Sequence, residues 1–266
     1  MPPRRISTRF RLFPSPGYTR TTKFGLIGNA LTARGRLLCA TGGCLLLIFS
    51  VLTQPGRAGA GKTKIRGGAP PRPGMEASLS NVTFVAFDTE TTGFSGANDR
   101  VVEIGVIKFK DGHVLERKSW LVNPGRKIPS YTLKVHGISD DMVANEPTFK
   151  EAYPKFKAFI EGSVLLAHNA RFDISFIREE ALRNDLSPPP NEVIDSLSLF
   201  RKWFPNAESH SLEGLAEHLE LEPNEFHRAV ADSMMIYEIL SVGMRRNPTT
   251  RTLGELQKSA GGAMKF

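Results

Sequence analysis

An apolar run that ends in two acids two positions apart constrains this chain more than any other feature: Phe84-Val85-Ala86-Phe87-Asp88-Thr89-Glu90-Thr91-Thr92-Gly93-Phe94. The apolar stretch followed by polar residues and Gly93 reads as a strand running into a turn. In a strand, residues i and i+2 share a face, so the Asp88 and Glu90 carboxylates project together from the strand's C-terminal end. Left alone they would repel, and one would tend to keep its proton; a bound divalent ion removes the conflict. Oxygen ligands suit a hard cation such as Mg²⁺ or Mn²⁺. The competing reading is a polar strand end facing solvent.

Two further segments add acids. Val164-Leu165-Leu166-Ala167 reads as a buried strand, and His168-Asn169-Ala170-Arg171-Phe172-Asp173 follows it, with Asn169 as a helix N-cap and Asp173 in the first turns of the helix. Ala229, Asp232, Ile236 and Ile239 have the spacing of one helical face. Asp232 thus interrupts an apolar stripe, where an ionised carboxylate is costly unless it is paired or holds a metal. Capping a neighbouring helix or pairing with Arg228 would satisfy the same position. His227 precedes Asp232 by five residues, about 500° of helical turn, so the two side chains do not stack. The histidine belongs to the loop or first turn leading into the helix.

Together the three blocks resemble the motifs of the DEDDh 3′-to-5′ exonucleases, the DnaQ-like family of the proofreading epsilon subunit of bacterial DNA polymerase III. Asp88 to Gly93 is similar to the first motif, His168 to Asp173 to the second, and His227 to Asp232 to the third with its His-x4-Asp spacing. The likeness runs from about Val82 to about Met244 and includes Val135-His136-Gly137-Ile138. It implies a ribonuclease H-like fold and two divalent cations, Mg²⁺ or Mn²⁺, held by Asp88, Glu90, Asp173 and Asp232. His227 is implied as the general base, and Thr91, His136, Asn169 and Phe172 as contacts of the terminal nucleotide. The implied reaction is hydrolysis of phosphodiesters from a 3′ end, with single-stranded DNA as the expected substrate and RNA 3′-end trimming or a non-catalytic nucleic-acid-binding module as alternatives. Phosphatases with an aspartyl nucleophile require Asp where Glu90 stands and have no use for His-x4-Asp. A DNA polymerase subunit is the implied protein partner, yet only about twenty residues follow the last motif helix, short of the long linker and second segment with which the proofreading subunit binds its polymerase.

The formal net charge of +8 suggests nucleic-acid binding until it is divided along the chain. Residues 1–74 hold 13 Lys and Arg and no acid, which leaves 22 basic against 27 acidic residues in 75–266. That part carries −5, so phosphate contacts must come from local Lys and Arg. Both cysteines, Cys39 and Cys44, lie in the basic leader, so residues 75–266 have no disulfide framework and no thiolate ligand. The leader's apolar run 37–52 is shorter than the roughly 20 residues a membrane-spanning helix needs. Three readings of the leader stand: an export signal or anchor, an organellar transit peptide, or an over-extended start with the true one at Met75. The last predicts a cytoplasmic exonuclease domain with no stable membrane partner.

The expected organisation is a leader 1–74, an exonuclease domain 75–247 and a tail 248–266, frayed from Lys258 to Phe266. Val101 to Phe109 reads as a second strand, and Asp111-Gly112 as a two-residue hairpin into a third, Val114 to Val122. Phe149, Tyr153, Phe156 and Ile160 share a helical face, although Pro154 threatens the first half of that helix. A strand at Val193 to Asp195, a helix carrying Leu212, Leu215, Ala216 and Leu219, and a last long helix from about Arg228 to Gly243 complete the pattern. The predicted class is α/β, a mixed sheet opening with an antiparallel meander and flanked by helices on both faces.

Overall fold

One two-residue turn and the apolar runs on either side of it build the first half of the fold. In the computed structural model, which describes residues 72–222 and 227–266, β1 (Thr83–Thr91), β2 (Val101–Lys110) and β3 (His113–Leu121) form an antiparallel meander. Asp111 and Gly112 both have positive φ, 49° and 73°, the backbone of a type I′ hairpin whose twist matches the flanking strands. Lys110 pairs directly with His113 across it.

After the meander come α1 (Ser130–His136), α2 (Asp140–Val143) and α3 (Phe149–Phe159). Pro154 does not break α3. It lies on the exposed side of the helix, where the carbonyl left without an amide donor one turn earlier faces water. β4 (Val164–Ala167) returns parallel to β1, α4 (Arg171–Arg183) crosses over, and β5 (Glu192–Asp195) lies parallel to β4. Then follow α5 (Ser196–Trp203), α6 (Leu212–His218), α7 (Ala229–Arg246), α8 (Leu253–Ser259) and β6 (Ala263–Lys265), which gives the sheet order β3-β2-β1-β4-β5-β6.

Alternation along β1 feeds two cores. Phe84 and Ala86 pack on one face with residues of α5 to α8, among them Phe200, Leu215, Ile236 and Leu256. Val85 and Phe87 pack on the other with Phe156 of α3 and Phe176 and Ile177 of α4. The mixed sheet with helices on both faces is the one the sequence predicts.

The expectation of a frayed tail is wrong. β6 pairs antiparallel with β5, and the Phe266 ring lies 6.1 Å from that of Phe87. Gly261 and Gly262, with φ of 83° and 111°, turn the chain back toward the sheet. Met264 and Phe266 then repeat at period 2, a strand signal too short to stand out. Residues around Met75 also dock here: the Met75 carbonyl accepts from the Gly254 amide at 2.8 Å, and the Ala77 carbonyl accepts from Leu253 at 3.0 Å. Among the described residues no helix is long and apolar enough to cross a membrane. The apolar run 37–52 and both cysteines fall outside the described residues.

Candidate active site

Close packing of a helix end on a strand creates the site. Asp88 in β1 pairs with Gly105 in β2, and a Cβ on Gly105 would stand 2.0 Å from the Ala229 carbonyl carbon and 2.2 Å from the Val230 nitrogen. Only glycine lets the first turn of α7 press so closely on the sheet. Asp232, in that first turn, is thereby brought to the end of β1. One carboxylate oxygen from each of Asp88, Glu90 and Asp232 lies within 4.8 Å of the others.

Asp173 stands just outside that cluster. Its Oδ1 accepts from the Thr89 amide at 3.0 Å and from the Thr89 hydroxyl at 2.7 Å, which ties the first turn of α4 to the middle of the acidic strand. The electrostatics join all four acids. Burial first, then Asp173, Glu90 and Asp232, push Asp88 well above the ordinary carboxylate range. Burial and the charges of Asp232, Glu103 and Asp173 raise Glu90 to about 8. Asp173 is raised to about 7 by burial against the pull of its Thr89 bonds, and Asp232 to about 6 by burial, partly offset by His227. Acids held in this state favour a proton or a cation between them.

His227 is placed otherwise than a ready base would be. Its backbone is left-handed, φ 64°, and its amide rather than its ring touches the cluster, donating to Asp232 Oδ2 at 3.1 Å. The half-exposed imidazole has Nε2 3.7 Å from Glu213 Oε1 on α6.

Glu103 is the residue the sequence does not reveal. Wholly buried in β2, it faces Glu90 across the strand pair. Its Oε2 accepts from Arg228 Nε at 3.0 Å and from the Ala229 amide at 3.2 Å, while Oε1 accepts from Arg228 Nη2 at 3.0 Å and from the Ser119 hydroxyl. Burial by itself would raise its pKa, but the guanidinium and hydroxyl bonds outweigh that and hold it below the usual value. Arg228 therefore pairs with Glu103, not with Asp232.

The four residues implied as nucleotide contacts are differently disposed. The Thr91 hydroxyl donates to the Gly93 carbonyl at 2.6 Å and so closes the turn after β1. His136 is buried, accepts from Ile138 N at Nδ1, and leaves Nε2 against the Thr91 backbone without a well-formed hydrogen bond. Phe172 is half-buried with its ring 4.8 Å from Phe176. Asn169 is exposed and is not the N-cap; it is left-handed, φ 64°, and Ala170 holds the cap position. The tight turn out of β4 demands a positive φ, which asparagine tolerates. Its carbonyl accepts from Phe172 N at 2.9 Å. Beyond Gly93, Phe94 is 80% exposed and stacks on Tyr131, 6.0 Å between centroids; the only sequence signal for this pair is a large apolar residue in a turn-rich loop.

A family model described as Exonuclease, RNase_T, matches residues 85–240. The chain is 42% identical over 164 residues to a DNA polymerase III PolC-type of Caldanaerobacter subterraneus subsp. tengcongensis, covering 62% of this chain and 12% of that protein. It is 37% identical over 163 residues to the DNA polymerase III subunit epsilon of Treponema pallidum, covering 60% of this chain and 76% of that one. The chain thus spans about a tenth of the length of the PolC-type relatives it matches. Among solved structures it is similar to exonuclease X in complex with 5′ overhanging duplex DNA, with a TM-score of 0.54 and 28% identity over 67% of this chain and 99% of that one. Exonuclease I of E. coli in complex with a dT13 oligonucleotide shares the fold at a TM-score of 0.58 and 20% identity, over 63% of this chain and 42% of that one. The fold is the ribonuclease H-like one that the motifs imply.

Proposed function

The chain belongs to the exonuclease family, and we propose that it hydrolyses nucleic acid from the 3′ end in a metal-dependent reaction, with single-stranded DNA as its preferred substrate. One observation carries this reading: carboxylates from β1 and α7 converge within 4.8 Å, and burial raises the pKa of each, with repulsion from neighbouring cluster acids adding to it for Asp88 and Glu90. An all-oxygen, multiply anionic donor set of that kind fits hard divalent ions. Asp88, Glu90, Asp173 and Asp232 are the residues that would hold two Mg²⁺ or Mn²⁺. Such ions, when bound, supply the Lewis acidity that phosphodiester hydrolysis requires.

The protein's own groups then bind, orient and move the proton. His227 leaves Glu213 and accepts the proton of the attacking water at Nε2. The water oxygen bonds to the terminal phosphorus, the bond from phosphorus to the 3′ oxygen of the preceding nucleotide breaks, and that oxygen takes a proton from solvent. A 5′-mononucleotide leaves. Thr91, His136, Asn169 and Phe172 surround the terminal nucleotide, and residues 75–266 form the working unit, a reading supported by the docking of Met75 on α8.

The test uses matched DNA and RNA oligonucleotides labelled at the 5′ end, with Mn²⁺ or with EDTA. A ladder of progressively shorter labelled products, faster on DNA and absent in EDTA, is expected. Labelled mononucleotide as the first product, or a several-fold preference for RNA, contradicts the proposal.

A further inference from the structure

Away from the carboxylates, α4 and β6 enclose a groove of about 300 Å³ lined by Arg171, Ile174, Ser175, Arg178, Met264 and Lys265. Its rim is cationic and no acid lines it, although residues 75–266 carry a net −5. Arg171 and Arg178 lie seven residues apart, two turns of helix, and so stand above one another about 10 Å apart along α4. Neither Arg171 nor Lys265 has a carboxylate partner among the described residues. Among the described residues Arg178 meets only its neighbour Glu179, in a solvent-exposed pair at 3.1 Å, an interaction worth little. Half-buried Met264 and buried Ile174 supply an apolar floor.

The groove begins on the same helix as the site, about 200° round its first turn. Arg171 is two residues from Asp173 in the first turn of α4. Ser175, on the same face, backs onto the loop that leaves β1: a Cβ on Gly96 would stand 2.9 Å from the Ser175 backbone. Cations spaced along an apolar floor match a polymer that alternates anionic phosphate with apolar sugar. The roughly 10 Å between Arg171 and Arg178 is enough to reach successive phosphates of one strand.

We propose that this groove binds the sugar-phosphate backbone of the nucleic acid beyond its terminal nucleotides, so that affinity for long substrates is set here and not at the carboxylates. The proposal rests on the exonuclease reading of the site. Its test compares the full chain with the triple variant Arg171→Ala, Arg178→Ala, Lys265→Ala, all exposed positions. Binding of a fluorescein-labelled single-stranded DNA 15-mer is followed by anisotropy in EDTA across a salt series. Hydrolysis of the p-nitrophenyl ester of thymidine 5′-monophosphate with Mn²⁺, a substrate too short to reach the groove, reports the carboxylates separately.

The variant is expected to bind the 15-mer at least about tenfold more weakly at low salt, with the slope of log affinity on log salt reduced by about 2, roughly 0.7 for each lost phosphate contact. Ester hydrolysis keeps its parent rate. An unchanged slope and affinity overturn the proposal. Polyglutamate that displaces the 15-mer from the parent as well as unlabelled DNA does also overturns it, since the groove would then serve acidic proteins. A parent that hydrolyses neither substrate defeats the exonuclease reading, while the anisotropy still reports on the groove.

Discussion

Glu90 and Glu103 face each other on neighbouring strands, yet they live in opposite electrostatic worlds. Glu90 looks toward Asp88 and Asp232 and has its pKa raised to about 8. Glu103, more deeply buried, is held below its usual value because Arg228 and Ser119 hydrogen-bond its charged form. Burial works against ionisation in both; a guanidinium decides the outcome in one, and the other lacks such a direct partner. The lesson is one of roles. A buried carboxylate with its cation built into the protein fixes structure, and a cluster without one is a place for an ion from solution.

The largest effect should come from weakening the cluster. Asp232→Asn is expected to abolish hydrolysis while leaving the metal-free fold intact or more stable, because one of the repelling charges is gone; nuclease rate and thermal denaturation in EDTA check both halves. Next, His227→Ala should lower kcat by roughly 10²- to 10⁴-fold, the usual worth of a positioned base, with Mn²⁺ affinity nearly unchanged. A loss of Mn²⁺ binding instead would make His227 a ligand.

On the structural side of the comparison, Arg228→Met leaves Glu103 as an uncompensated charge inside the sheet and should destabilise the protein by about 3 kcal/mol in urea denaturation. The double variant Glu103→Gln, Arg228→Met should recover part of that loss. If the two changes simply add, the pair is not coupled, and the contrast with Glu90 dissolves.

The raised carboxylates also predict a pH trend. Raised folded-state pKa values mean that the folded protein binds more protons than the unfolded chain between the two. Metal-free stability should therefore fall as pH rises from about 4, the ordinary carboxylate value, to about 8, the value for Glu90. Mn²⁺ at pH 8 should restore it. A metal-free stability that rises over this window contradicts the raised values.

Local pattern carried the first half of this structure. Asp111-Gly112 forms the predicted hairpin, Asp88 and Glu90 share a strand face as period 2 requires, and Asp232 meets them as the resemblance implies. Partnerships across long stretches of chain were not legible. Glu103 reads as a polar interruption in an apolar strand because its partner stands 125 residues away, and period-2 reasoning sees only neighbours. Likewise nothing local says that the His227 ring turns to Glu213, or that Asn169 serves through a left-handed backbone and not through its side chain. The C-terminal strand was missed because β6 has three residues, too few for alternation to register; its stability comes from β5 and Phe87.

Calorimetric titration of the metal-free protein with Mn²⁺ at pH 7.5, repeated in buffers of different ionisation enthalpy, shows whether the acidic cluster is a cation site. If the raised pKa values of Asp88 and Glu90 reflect a site awaiting cations, binding releases protons, so the observed heat varies with the buffer, and Asp232→Asn loses most of the affinity. Equal affinity in parent and variant, with heats independent of buffer, would contradict the account.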